Sequence, residues 1–303
     1  MPASSANLGP GFDSLGLALA VRDRVRVEVT RGGGTTVDVT GEGAGTLPKD
    51  DENLIAATIR TVFEDLGLRQ PGLAIRSDNA VPHGKGLGSS AVALTCGVAA
   101  ALILVDLAGG GDGALDRADL LDRAGAMEGH PDNVAACVYG GLTVAWTEGG
   151  HSRAVRLAVP QLRPVVALPA DGFATTEARA LLPATIGHAA AAANAGRAAL
   201  LVAVLSGQAD PALLLPATVD ALHQPFRAAS MPASAALITR LRGHGIAAVL
   251  SGAGPSVLVL ATAEQRDEAM ALVSAAGGCL PLEVDGDGTR VLAAERAATA
   301  PPR

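Results

Sequence analysis

The sequence predicts an α+β fold in two domains, residues 1–150 and 151–303, and three observations predict it. Segments that alternate apolar and charged residues with period two, as half-buried strands do, are interleaved with apolar stripes of helical period. A glycine-rich loop at 82–91 runs straight into the longest apolar stretch of the chain. A polar, glycine-bearing stretch at 147–152 separates the two halves. At roughly 100–200 residues per domain, a chain of 303 residues has room for both.

Taken in order, residues 2–13 are too polar and glycine-rich for a strand, yet too apolar at their ends for a solvated tail. Residues 24–30 set Val25, Val27 and Val29 against charged neighbours, and 35–40 repeat the pattern with Val37 and Val39. Joined by Arg31-Gly-Gly-Gly34, the two segments predict an antiparallel hairpin with one wet face. Ile55, Ile59, Val62, Phe63 and Leu66 then share one helical stripe, preceded by Asp50, Asp51 and Glu52, where negative charge favours a helix N-terminus. A short strand at 73–76 and a loop at 77–88 lead to the apolar run 91–105, closed by Asp106. That run is shorter than the ~20 residues of a membrane span and predicts a buried helix. A glycine turn at 109–113, a helix at 120–127 and a strand at 142–146 complete the first half. Beyond it, strands at 165–168, 247–250 and 257–261 alternate with helices at 175–182, 189–205, 233–242 and 264–276, with a last strand near Val291. The tail after Arg296 reads as frayed.

Composition narrows the function. Hydrophobic residues make up 49% and charged residues 17%, which excludes disorder for the bulk of the chain. A net charge of −7 argues against nucleic-acid partners and anionic membranes, which need clustered basic residues. Only Lys49 and Lys85 among the basic residues are lysines, so any bound anion must be held by arginines or by backbone N–H groups. Cys96, Cys137 and Cys279 are far apart, without zinc-type spacing, and read as reduced core residues. The N-terminus has no basic segment followed by an apolar one, so a cytoplasmic protein is expected.

The strongest local signal is Pro82-His-Gly-Lys-Gly-Leu-Gly-Ser-Ser-Ala91. Glycines let a backbone approach its ligand closely, and a helix N-terminus offers free N–H groups with a partial positive charge. The loop therefore suits a phosphate, and Ser89 or Ser90 adds a hydroxyl for a phosphate oxygen or Mg²⁺. Taken alone it remains ambiguous with a structural turn. It is ambiguous too with a dinucleotide fingerprint, since Gly86 to Ala91 fits GxGxxG/A and Asp106 lies 20 residues beyond Gly86. A second glycine-rich loop, Ser251-Gly-Ala-Gly-Pro-Ser256, lies between two apolar strands and offers a second wall for the same site.

Together with Ser4-Ser-Ala-Asn-Leu-Gly-Pro-Gly-Phe-Asp13, these loops resemble, in order, the three motifs of the GHMP kinase superfamily over nearly the whole chain. The resemblance implies an N-terminal domain like ribosomal S5 domain 2 and a ferredoxin-like C-terminal domain, with ATP and Mg²⁺ bound between them. Glu128-Gly-His-Pro-Asp-Asn133 and Leu222-His-Gln-Pro-Phe-Arg227 are similar to the branch that phosphorylates the hydroxyl of L-homoserine. The resemblance assigns ATP to Pro82, Lys85, Gly86, Leu87, Gly88, Ser89, Ser90, Ala91, Gly252 and Gly254, with Asn53 towards the adenine. It assigns the metal to Ser90 and Glu128. The amino acid falls to Asn7, Asp13, His130, Asp132, Thr175, Arg179 and Arg227, with Asn133 and Asp13 at the reacting centre. It also implies a homodimer. Relatives begin further upstream with an apolar strand, so a sheet one strand short is expected here. Other kinases of the superfamily, a metabolite sensor on the same fold and a dinucleotide-dependent oxidoreductase are the alternatives.

Overall fold

Residues 1–169, 172–173 and 175–295 are described by the computed structural model. In chain order the first half comprises β1 (Pro2–Ala6), β2 (Leu15–Arg22), β3 (Arg24–Thr30), β4 (Thr35–Gly41), α1 (Leu54–Asp65), β5 (Gly72–Asn79), α2 (Ser89–Gly109), α3 (Arg117–Glu128), α4 (Asp132–Tyr139), β6 (Leu142–Glu148) and β7 (His151–Leu157). The second comprises β8 (Val165–Leu168), α5 (Thr175–Ala180), α6 (His188–Leu205), α7 (Leu214–Ala217), α8 (Gln224–Arg227), α9 (Pro232–Gly243), β9 (Ala248–Leu250), β10 (Val257–Val259), α10 (Arg266–Ser274) and β11 (Gly278–Pro281).

The mixture of helix and sheet is as expected, but four local readings are corrected. Residues 2–6 form a strand, because their small polar side chains find partners in the core. Ser4 Oγ donates to Asn133 Oδ1 (3.0 Å), and Ser5 Oγ lies 2.8 Å from Ser251 Oγ. β3 and β4 do not pair with each other; both flank β5, in the order β3-β5-β4. The β4–β5 ladder is parallel, which requires a crossover, and α1 supplies it. The polar turn around Gly149 and Gly150 joins β6 to β7 within the sheet β1-β2-β6-β7, so the chain leaves the first sheet only after Leu157. No strand forms at Val291, which is 44% exposed; among the described residues the last strand is β11, after which Val284 bridges to Leu19 of β2. The tail after Arg296 lies outside the described residues.

The second half has the βαββαβ pattern of a ferredoxin-like domain, with strand order β11-β8-β10-β9. Both faces of this sheet are covered, which is why its strands read as unbroken apolar runs. Val165, Ala167, Val257 and Val259 meet Leu241 of α9 and Val273 of α10 on one side. Val166, Val249 and Leu258 point the other way, into the large core shared with α1, α2, α4 and α6. α2 and α6 are long and apolar enough to cross a membrane by length and composition. Here α2 packs against α1 and α3 with Val92, Val98 and Ala101 fully buried. Cys96 and Cys137 are free and buried, and loss of solvation pushes their thiols up to about 12 and about 11.

Candidate active site

One cleft gathers the ends of these elements: the turn after β1, the loop before α2, the starts of α4 and α5, α8, and the loop after β9. α2 starts with Gly88 as its N-cap, in the left-handed conformation (φ 72°) and without a capping side chain. The first amides of a helix have no intrahelical acceptor and carry the positive end of its dipole, so the opening of α2 presents donors to the cleft. Gly84, Gly86, Gly88, Ser89 and Ser90 line it. Leu87 and Ala91 are buried in the core and do not line it. Pro82 and Lys85 do not line it; Lys85 Nζ donates to Pro169 O (2.8 Å).

The loop after β9 is bound tightly to this one. Ser251 Oγ lies 2.6 Å from Gly86 O, which accepts its proton, and Gly252 N donates to Ala6 O (3.1 Å). A Cβ at Gly86 would collide with the Ser251 carbonyl oxygen, so only glycine lets the two backbones meet. Gly252 lines the cleft, whereas Gly254 turns against Met231 instead.

Ser90 Oγ donates to Glu128 Oε2 (2.9 Å), and burial holds the Glu128 carboxyl above the usual carboxylate range. Among the described residues no group of three or more His, Cys, Asp or Glu could enclose a metal ion. One carboxylate and one hydroxyl nevertheless fit Mg²⁺, which uses few protein oxygens and completes its shell with phosphate and water. Asn53 lies outside the cleft, capping α1: its Oδ1 accepts from Ile55 N and its Nδ2 donates to Pro48 O, both at 3.0 Å.

At the other end the side chains are charged. Asn7 adopts a positive φ (69°), and its amide is engaged at both ends: Nδ2 donates to Gly252 O and Oδ1 accepts from Asp13 N, each at 2.9 Å. Asn7 thus fixes the turn that aims Asp13, whose carboxylate accepts two hydrogen bonds from Arg179 at 2.8 and 2.9 Å. Arg227 is 2% exposed; its Nε donates to Ala178 O (3.2 Å), and its Nη1 to Gly252 O (3.2 Å) and His223 Nδ1 (3.0 Å). Its Nη2 makes no hydrogen bond among the described residues. The guanidinium carbons of Arg179 and Arg227 stand 5.4 and 5.8 Å from the centre of the Phe12 ring. Thr175 lines the cleft one helical turn before Arg179. Buried Asp132 accepts from Asn133 N (2.7 Å) and pairs with His130 Nδ1 (2.9 Å), which raises the imidazole's proton affinity.

The cleft therefore combines the uncapped amides of a helix N-terminus at one end with paired acidic and basic side chains at the other. The family models "GHMP kinases N terminal domain" and "GHMP kinases C terminal" match residues 53–141 and 200–279. Homoserine kinase of Streptomyces coelicolor is 50% identical over 293 residues, covering 96% of this chain and 93% of that protein. The chain belongs to the GHMP kinases, in their homoserine kinase branch. Among solved structures, homoserine kinase from Cytophaga hutchinsonii superposes with a TM-score of 0.81 at 29% identity, covering 95% of this chain and 94% of that one. A putative homoserine kinase from Listeria monocytogenes gives 0.77 at 27%, covering 95% of each.

Of the residues expected from sequence, Asn7, Asp13, Gly86, Gly88, Ser89, Ser90, Glu128, His130, Asp132, Asn133, Thr175, Arg179, Arg227 and Gly252 line this kinase's cleft. Sequence reasoning missed Phe12, the platform under both arginines, and His223 beneath Arg227. Their signal was present: Phe12 adjoins Asp13, and His223 lies four residues before Arg227, one helical turn away.

Proposed function

We propose that this chain is a homoserine kinase, transferring the γ-phosphoryl group of ATP to the hydroxyl of L-homoserine to give O-phospho-L-homoserine, a step towards threonine. Curated relatives of that name support the activity, and one observation carries the site assignment. The Arg227 guanidinium is buried with Nη2 unengaged, beside the bidentate Asp13–Arg179 pair and in one cleft with the uncapped N-terminus of α2. Paired arginines suit a carboxylate, and Asp13 suits an ammonium.

Phosphoryl transfer passes through a loose transition state, so orientation and charge neutralisation matter more than a strong base. In this reading the amides opening α2 and the loop at Gly252 hold the phosphates. Asn133, its Oδ1 fixed by Ser4, directs its amide nitrogen at the attacking hydroxyl. Ser90 and Glu128 would hold Mg²⁺, which when bound neutralises charge on the β- and γ-phosphates. His130 and Asp132 border the amino end. A homodimer in the cytoplasm completes the proposal, and sedimentation of the purified chain reads its oligomeric state.

ADP release from Mg²⁺-ATP, measured across homoserine, serine, threonine, mevalonate and galactose, tests the reading. Clear preference for homoserine is expected; equal silence across the panel would leave a binding protein on a kinase fold.

A further inference from the structure

His223 is fully buried at the start of α8 and makes two contacts whose chemistry leaves its ring no choice. Its Nε2 lies 2.9 Å from Gly9 O, a carbonyl, which can only accept. Its Nδ1 lies 3.0 Å from Arg227 Nη1, a guanidinium nitrogen, which can only donate. Both hydrogen bonds exist together only when the imidazole is neutral with its proton on Nε2. The ring is also clamped from its face, stacked on Phe12 at 5.5 Å between centroids. Asp220 fixes the turn beneath it, accepting from the backbone N–H groups of Leu222, His223 and Gln224.

We propose that His223 is a positioning residue for the known reaction: as a neutral acceptor it holds the Arg227 guanidinium so that Nη2 faces the substrate carboxylate. The inference rests on the reading of Arg227 as a carboxylate ligand. Protonation of His223 turns Nδ1 into a donor facing another donor and sets two cations against each other in a buried site. Arg227 then loses its orientation, and homoserine binding weakens while the phosphate end is untouched.

Three charged groups act on this ring, and a fourth acts through Arg227. Asp220 Oδ2, 3.4 Å from Nε2, and Asp13 favour its protonation; Arg227 opposes it, and Arg179 adds positive charge beside Arg227. Burial is the largest influence and pushes the proton off, so the neutral form prevails at neutral pH.

Two substitutions separate the two ring contacts. His223→Asn keeps an acceptor where Nδ1 stands and gives up Gly9; His223→Gln keeps a donor where Nε2 stands and gives up Arg227. Steady-state kinetics of the full chain, with homoserine and ATP varied in turn, are expected to show a homoserine KM near that of the parent for His223→Asn. For His223→Gln it should rise about tenfold, the usual effect of losing a hydrogen bond to a charged group, with kcat and the ATP KM unchanged. In an Arg227→Ala background the two substitutions should no longer differ. The parent's homoserine KM should rise as pH falls below the ordinary imidazole range, and His223→Asn should flatten that limb; titration of His130, common to both, is removed by the comparison. Equal KM values for Asn and Gln, or a Gln effect that survives in Arg227→Ala, would overturn the proposal. An Arg227→Ala variant with unchanged homoserine KM would instead overturn the carboxylate reading, and this inference with it. Where a His223 variant fails to fold, the pH profile measured in a His130→Gln background carries the test: a homoserine KM that does not rise there as pH falls below the ordinary imidazole range would overturn the proposal.

Discussion

The two ends of the cleft are built from different materials. At the end assigned to phosphate nearly everything is main chain: glycines 84, 86 and 88, the uncapped amides of α2, and the Gly252 loop pressed against them. Lys85 turns its ammonium to the carbonyl of Pro169. At the end assigned to the amino acid nearly everything is side chain: Asp13, Arg179, Arg227, His130 and Asp132, aimed by Asn7, Phe12 and His223. An acidic chain with two lysines can hold a triphosphate this way, because amide dipoles are fixed by backbone geometry and carry no net charge. The difference predicts different failures. A main-chain site breaks when the backbone moves; a side-chain site breaks when charge is removed or protonated.

The sharpest break is at Gly86. Alanine there places a Cβ against the Ser251 carbonyl oxygen in a left-handed conformation (φ 73°) and forces the two loops apart. Misplacement of a reacting group by an ångström costs about 100-fold in rate, and a loss of that order in kcat is expected for Gly86→Ala. Circular dichroism and thermal melting should show the fold retained, and Gly84→Ala, with open space around its Cβ, should be far milder. Equal effects at the two glycines would mean that contact between the loops does not shape the site.

Asp13→Asn tests the opposite end. The Asp13–Arg179 pair is about one-third exposed on the acid and more on the arginine, so its loss should cost at most about 1 kcal/mol of stability. An uncompensated ammonium contact is worth more to a ligand, and the homoserine KM should rise about tenfold with the ATP KM unchanged. A fall in kcat at constant KM would move Asp13 from binding to chemistry.

The same contrast explains what the sequence could reveal. Helix α2 and its loop were legible because glycine spacing followed by an apolar run is a local signal, and α1 was legible from its stripe and the acidic residues before it, although its Asn53 cap was not. β1 was not legible, since its polarity is neutralised by Asn133 and Ser251, more than a hundred residues away. The β3–β4 hairpin was misread for a similar reason: β5 competes for both edges, and nothing within 24–40 announces it. At the site, the resemblance supplied most of the residues that line the cleft. The pairing of Asp13 with Arg179, and of Arg227 with His223, was invisible because it spans separate elements or depends on which ring nitrogen faces inward.

Protonation gives a gentler test of the charged end. The Asp132 carboxylate holds the His130 imidazolium, raising its pKa above the ordinary 6.5. A raised folded pKa contributes stability that is fully present below the unfolded value and disappears as pH rises through the folded one. His130→Gln should therefore lower Tm relative to the parent at pH below the ordinary imidazole value, with the difference shrinking as pH rises above that value. A Tm difference independent of pH would mean that the pair contributes packing and no charge.

The smallest expected effect decides where the phosphate end stops. Asn53 was expected at the adenine, yet both ends of its amide are engaged, on Ile55 N and Pro48 O, and it lies outside the cleft. As an N-cap it should contribute about 1 kcal/mol, so Asn53→Ala should lower Tm by a few degrees and leave both KM values and kcat unchanged. Asn53→Asp, which keeps the capping acceptor, should recover most of that stability. If Asn53→Asp restores Tm but either variant raises the ATP KM, Asn53 reaches the nucleotide, and the main-chain end of the cleft includes a side-chain contact.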